Sequence, residues 1–339
     1  MSKILITGAA GFIGSQLAYR LWKEGNELIL IDNFSYGSKD NLIFEEHDFT
    51  EEIINMDIRD KEGIAGILSK GDIDYIYHIA GIAPLPDCQT NPQEAIDVNV
   101  TGTVNILENA RQFGVKKIIF ASTNAMYENV TQFPTKEDGF ELPTLIYPNT
   151  KYVAERFCES YCKTYDMNVT CLRFANVYGP HIDCLRKQPP FVGYMIRELF
   201  YDRVPVFHSD GKQRRDYIYV DDLIELAILV QNHKGFDCVN VCSNTNYSVN
   251  ELYGIACKIM NKNIKAEYIT SDNYWNKYPE LYRGEYPIKN EILAHEVNKY
   301  SLCDNSYARE TYGWKPKVSI EEGLRNSIDY EVQLLSNLK

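Results

Sequence analysis

Tyr147 and Lys151 stand four residues apart at the start of an expected helix, a spacing that turns a phenol and an amine to one face. A tyrosine with an ordinary pKa near ~10 is a poor base at neutral pH. A neighbouring ammonium favours the phenolate and lowers that pKa, as does the positive charge of an oxidised nicotinamide. Such a pair can take a proton from an alcohol while hydride leaves the same carbon. Ser122 and Thr123 follow the apolar run Lys117-Ile118-Ile119-Phe120-Ala121. A hydroxyl at the carboxyl end of a strand points into the crevice where open sheets bind ligands.

That chemistry needs a hydride acceptor, and the N-terminal segment has the pattern of a dinucleotide seat. Gly8, Gly11 and Gly14 follow the apolar run Lys3-Ile4-Leu5-Ile6-Thr7 directly. Gly8 permits the tight turn, Gly11 lets backbone approach a pyrophosphate, and Gly14 lets a helix beginning near Phe12 and Ile13 pack close to the strand. The helix amides and dipole then face the phosphates. Asp32 ends the next apolar run, Glu27 to Ile31. Its carboxylate can accept from both hydroxyls of the adenine ribose and repels a 2′-phosphate, which favours NAD over NADP.

The elements that must position these groups alternate between strand and helix through the first half. This predicts a parallel sheet with helices on both faces. Further strands are expected at Ile53–Asp57, Asp74–Ala80, Lys117–Ala121 and Val169–Phe174. Helices are expected at Pro92–Phe113, ended by Gly114, and at Pro148–Tyr165. Beyond Gly179-Pro180 prolines 189, 190 and 205 interrupt short elements, and Asp272–Tyr300 is polar and aromatic without a period. The expected division is a dinucleotide domain at 1–177, to which 217–242 returns, and a smaller irregular α/β substrate domain at 178–216 and 243–339.

The chain of 339 residues is acidic, 35 basic against 47 acidic side chains and a net charge of −12. Neither nucleic acid nor an anionic membrane has an electrostatic footprint here, and an anionic substrate needs a local cluster of cations. The nine cysteines lack metal-ligand spacing, so no metal is expected and reduced thiols are. With no apolar run near the ~20 residues of a membrane span, a soluble cytoplasmic protein is expected.

Taken together, the motifs resemble an extended short-chain dehydrogenase/reductase of the nucleotide-sugar epimerase/dehydratase family, along essentially the whole chain. Gly8, Gly11 and Gly14 match its G-x-x-G-x-x-G, and Thr123, Tyr147 and Lys151 match its triad. The resemblance implies a Rossmann-type doubly wound sheet with bound NAD. It assigns the adenosine ribose to Asp32, Asn33, Ser35 and Gly37, and the adenine to Asp57 and Ile58. It sets Ala80 and Gly81 against the cofactor, makes Asn99 a structural asparagine, and has Lys151 hold the nicotinamide ribose. On the substrate side it implies Asn176 and Arg215 for the diphosphate, Val206 and Phe207 for the nucleobase, and Arg283 as a loosely matched second arginine. Trp314-Lys315-Pro316 is similar to its structural closing motif.

The implied activity is an epimerase inverting C4 of a UDP-hexose through a 4-keto sugar. Other members decarboxylate a UDP-uronic acid or reduce a 4-keto sugar, and some non-catalytic dinucleotide sensors keep the fold while lacking the Tyr or the Lys. Dehydratases of the family carry Asp-Glu after the triad Ser/Thr, where this chain has Asn124 and Ala125, so loss of water is not expected. Glu128 replaces a usual Gly. Ser301 falls at the wall position that separates hexose from N-acetylhexosamine, with Tyr300 beside it. Val153, Phe157, Tyr161 and Thr164 or Tyr165 form a stripe expected to pair two copies into a homodimer.

Overall fold

A computed structural model describes residues 1–139 and 141–338. The chain opens with β1 (Lys3–Thr7), α1 (Phe12–Lys23), β2 (Glu27–Asp32), β3 (Ile53–Asn55), α2 (Lys61–Leu68) and β4 (Tyr75–His78). There follow α3 (Leu85–Thr90), α4 (Pro92–Ile96), α5 (Thr103–Phe113), β5 (Lys117–Thr123), α6 (Ile146–Tyr165), β6 (Val169–Phe174) and β7 (Asn176–Tyr178). The second half adds α7 (Phe191–Phe200), β8 (Val206–His208), β9 (Arg214–Tyr219), α8 (Val220–Leu229), β10 (Phe236–Val241) and β11 (Asn246–Ser248). Last come α9 (Val249–Ile259), β12 (Glu267–Ile269), α10 (Asn290–Asn298), α11 (Ser306–Tyr312) and α12 (Ile320–Asn337).

Seven parallel strands form the main sheet in the order β3-β2-β1-β4-β5-β6-β10. The order reverses between β1 and β4, and the crevice at that switch point is where open α/β sheets bind ligands. Alternation along β1 feeds two cores. Ile4 and Ile6 pack on the face covered by α1 and α8, and Leu5 packs on the face covered by α2, α5 and α6. Each such fully buried side chain contributes about 1.5–3 kcal/mol. β10 joins the sheet beside β6, whereas β9 pairs with β7 and β11 in a separate three-stranded sheet.

The expected helix at Pro92–Phe113 is continuous but contains a π-turn at Asp97–Gly102 between α4 and α5. The extra residue turns Asn99 inward. Gly114 ends α5 in the left-handed region at φ 70°, where glycine carries no steric cost. The aperiodic stretch Asp272–Tyr300 folds into 3₁₀ turns at Ser271–Asn273 and Pro279–Tyr282 followed by α10. It closes on a small apolar cluster of its own, Leu145, Trp275, Tyr278 and Leu293. Trp314 docks the C-terminal segment by donating from Nε1 to the Asp222 carbonyl at 2.9 Å. Among the described residues, no helix is long and apolar enough to cross a membrane.

Candidate active site

β1 runs straight into the glycine turn. A Cβ on Gly8, whose φ is +71°, would lie 2.7 Å from the Ala80 nitrogen, and one on Gly14 would lie 2.0 Å from the Gly8 carbonyl oxygen. Only hydrogen fits at either position. No side chain caps α1, so its leading amides and dipole face the turn.

Asp32, 7 % exposed, accepts from Ala10 N at 3.0 Å and Phe34 N at 2.7 Å. Burial pushes its carboxyl up, and the two backbone donors oppose that. Asn33 donates to Asp57 at 2.8 Å and anchors Ser35 N through its own side-chain oxygen. The Arg59 guanidinium holds Asp57 down at about 2. Gly37 lies against Ala10, and Ile58 fills the space beside Gly102. A Cβ on Gly81 would lie 3.0 Å from Asn99 Oδ1 and 3.1 Å from Lys151 Nζ. Asn99 bonds both backbone groups of Ile82 and the Thr150 hydroxyl. A cradle that any Cβ would fill, with a buried carboxylate at its rim, fits a dinucleotide.

Thr123, Tyr147 and Lys151 come together at the carboxyl end of β5. The Thr123 hydroxyl stands beside the Tyr147 phenol on the wall of one cavity. Lys151, 4 % exposed, donates to the Ala121 carbonyl at 2.8 Å, and burial pushes it down to about 8. Tyr147 is pushed up to about 12 by burial, with Thr123 and Arg186 opposing. Lys151, turned to the Ala121 carbonyl, is not among the groups that lower the phenol; burial dominates the phenol, as it dominates the lysine. In this state the phenol keeps its proton, and a further positive charge is needed to release it.

The helix carrying Tyr147 and Lys151 is oriented from both sides. Arg173 makes a bidentate pair with Glu155 of α6 at 3.0 and 2.7 Å, and Ser122 donates to the same carboxylate at 2.6 Å. Glu128 accepts from the backbone nitrogens of Thr144 and Leu145, just ahead of α6. The Glu128 carboxylate thus satisfies two amides at the approach to Tyr147.

Two cavities share Asn176 and Arg215. The smaller, about 280 Å³, is lined by Thr123, Tyr147, Asn124, Ala125, Tyr300 and Ser301 among others. The larger, about 790 Å³, is lined by Val206, Phe207, Arg186, Arg215, Tyr274 and Trp275 among others. Asn176 donates to the Asp216 carbonyl at 2.9 Å, and Arg215 donates to the Glu296 carbonyl at 2.7 Å. Arg215 is thus tied to backbone rather than to an acid. Ser301 Oγ accepts from Asp216 N at 3.3 Å, and the Tyr300 ring meets Phe133 edge-on, centroids 4.7 Å apart.

One expected residue is elsewhere. Arg283 is exposed on the segment before α10 and lines neither cavity, because the 3₁₀ turn at Pro279–Tyr282 carries it outward. The second arginine of the larger cavity is Arg186, which burial holds below the usual range. The neighbouring pair Arg186-Lys187 in an acidic chain was the available signal for it.

Sheet order and crevice are those of an extended short-chain dehydrogenase/reductase. Comparison with known proteins narrows this: residues 4–242 match the model of the NAD dependent epimerase/dehydratase family, and the chain belongs to that family. It is 30 % identical to a putative UDP-glucose 4-epimerase of Methanocaldococcus jannaschii, over 96 % of this chain and 97 % of that one. It is 28 % identical to a UDP-glucuronate 4-epimerase of Thermodesulfobacterium geofontis, over the full length of both. The crystal structure of UDP-glucose 4-epimerase from Thermotoga maritima with UDP-glucose superposes with a TM-score of 0.86 at 30 % identity, covering 98 % of this chain and 99 % of that one. The protein is an NAD-dependent nucleotide-sugar epimerase.

Proposed function

We propose that the protein inverts C4 of a UDP-hexose through a transient 4-keto sugar. The observation that carries this reading is the small cavity with Thr123 and Tyr147 on its wall, which shares Asn176 and Arg215 with the larger cavity lined by Arg186. NAD, when bound, supplies the hydride acceptor and, while oxidised, a positive charge. Tyr147 takes the proton from the sugar hydroxyl, and Thr123 holds the oxygen as it becomes carbonyl-like. Lys151 holds the nicotinamide ribose. Arg215, whose planar fork suits two phosphate oxygens, and Asn176 hold the diphosphate while the keto sugar turns over. Val206 and Phe207 border the base. Asn124 and Ala125 offer no acid–base pair, which favours epimerisation over loss of water.

In this reading residues 1–177 and the returning 217–242 hold the dinucleotide, and 178–216 with 243–339 hold the nucleotide sugar. Incubation with UDP-glucose, UDP-N-acetylglucosamine and UDP-glucuronate, followed by NMR of the sugar, tests the activity. Inversion at C4 of at least one is expected, and inversion of none overturns the reading.

The partner we infer is a second copy of the chain. Val153 and Phe157 are each 39 % exposed on α6, Tyr165 is 50 % exposed, and Phe113 of α5 is 40 % exposed. An apolar stripe of this kind on neighbouring helices supports pairing across a two-fold axis. A dimer mass by light scattering is expected, and Phe157→Glu should shift it to the monomer; a monomeric parent overturns the assignment. Nine free cysteines support a reducing, cytoplasmic setting.

A further inference from the structure

Asp87 of α3 takes no part in the machinery described so far, yet it joins two of its walls. Its Oδ2 accepts from the Tyr36 hydroxyl at 2.7 Å, and the same carboxylate stands beside the Tyr278 phenol, whose ionisation burial and then Asp87 push up. The two phenols come from different ligand sites. Tyr36 sits in the loop after β2, which is pinned to the glycine turn by Ser38 N and Asn41 Nδ2, both donating to the Ala10 carbonyl at 3.0 and 2.9 Å. Tyr278 is 4 % exposed in the cluster with Trp275, and the residues just before it, Tyr274 to Lys277, line the larger cavity. Arg186, on the wall of that cavity, faces Asp87 and both phenols. The Lys187 ammonium lies 3.9 Å from the Tyr278 ring centroid.

We propose that Asp87 couples the two sites, so that a nucleotide seated in the larger cavity slows loss of the dinucleotide. A ligand that orders the segment around Trp275 fixes Tyr278. Tyr278 then holds Asp87, and Asp87 holds the Tyr36 loop against the glycine turn. Such coupling is reciprocal by linkage, so the dinucleotide tightens nucleotide binding by the same factor. The inference rests on the substrate reading only in taking the larger cavity as the nucleotide site.

The test loads the protein with NADH and follows its release by fluorescence with and without UDP, alongside calorimetry of UDP binding. UDP is expected to slow release about tenfold in the parent. Tyr36→Phe and Tyr278→Phe keep both rings, and each should remove most of the UDP effect while UDP still binds. The double variant should lose no more than either single one, because both phenols act through one carboxylate. Equal retardation in parent and variants, or no retardation in a parent that binds UDP, overturns the coupling. Failure of UDP to bind overturns the nucleotide reading of the cavity and the coupling with it.

Discussion

The glycine turn at Gly8–Gly14 and the segment from Ser271 to Asn298 both border ligand cavities, and they are built on opposite principles. The turn works by lacking side chains. Backbone meets backbone there, a Cβ on Gly14 would stand 2.0 Å from the Gly8 carbonyl, and no side chain caps the start of α1. The later segment works by side-chain mass. Trp275, Tyr278 and Leu293 bury themselves against Leu145 and hold Tyr274 to Lys277 over the larger cavity. A turn made of backbone tolerates no addition, and a cap made of rings tolerates no removal.

The sharpest way to break this comparison is to add one methyl where none fits. Gly14→Ala sets a Cβ against backbone that cannot rotate away, so the turn must open and NAD should bind at least about a hundredfold more weakly, a loss of ~2.7 kcal/mol. Titration of NADH fluorescence measures this. Binding within threefold of the parent would show that the turn yields, and the backbone account would fail.

Tyr147 stands between the two regions, on a helix whose entry is fixed by Glu128 and by packing of Leu145 on the Trp275 cluster. Tyr147→Phe keeps the ring and removes the proton acceptor. Turnover should fall about 10²–10⁴-fold with NAD affinity nearly unchanged. A variant within tenfold of the parent rate would remove Tyr147 from the role of base.

Truncation probes the cap. Trp275→Ala leaves a cavity in a cluster drawn mainly from one surface segment, with Leu145 added from ahead of α6. The usual cost of such a change is about 3–5 kcal/mol, and here it should fall on the segment rather than on the whole fold. KM for the nucleotide sugar should rise and amides of residues 272–298 should exchange faster, while NAD binding holds. A fall in NAD affinity matching that in substrate affinity would show that the cap is part of the main core.

The same contrast explains what could be read from residues alone. Gly11 and Gly14 carry their meaning in spacing, because the Gly8 carbonyl that crowds a Cβ at each stands a few residues away. Gly8 and Asp32 are marked by the apolar runs they close, although their contacts, Ala80 and Ala10, lie further off. Tyr147 and Lys151 are likewise one helical turn apart. Trp275 gains its position by packing on Leu145, far back in the chain, and no period announces it. Arg186 is tied locally by Asp183 and Gln188, but the cavity it lines is assembled from distant segments. Arg283 shows the same limit from the other side. Its R-G-E surroundings resembled a motif, but the 3₁₀ turn before it decides where it points. The π-turn at Asp97–Gly102 was hidden for a related reason: one added residue in a helix alters no apolar pattern strongly enough to be seen.

The smallest expected effect lies at the sugar end, where both kinds of construction meet. Ser301 Oγ is tied to Asp216 N, and its own nitrogen donates to the Arg214 carbonyl at 3.0 Å, so the wall at this point is backbone with a short side chain. Tyr300, 41 % exposed, borders the same cavity but leans its ring on Phe133. Its aromatic bulk is thus held to one side of the wall that Ser301 leaves open. An acetamido group needs the room of a few heavy atoms beside the sugar ring, and a tyrosine at 301 would take that room from a cavity of about 280 Å³. Ser301→Tyr should therefore depress turnover of UDP-N-acetylglucosamine about tenfold or more, a difference of ~1.4 kcal/mol in the transition state. Turnover of UDP-glucose should stay within a few-fold. The paired rates, taken on one preparation by NMR, decide the matter, because equal loss for both sugars would mean that position 301 supports the pocket without bordering the acetamido group.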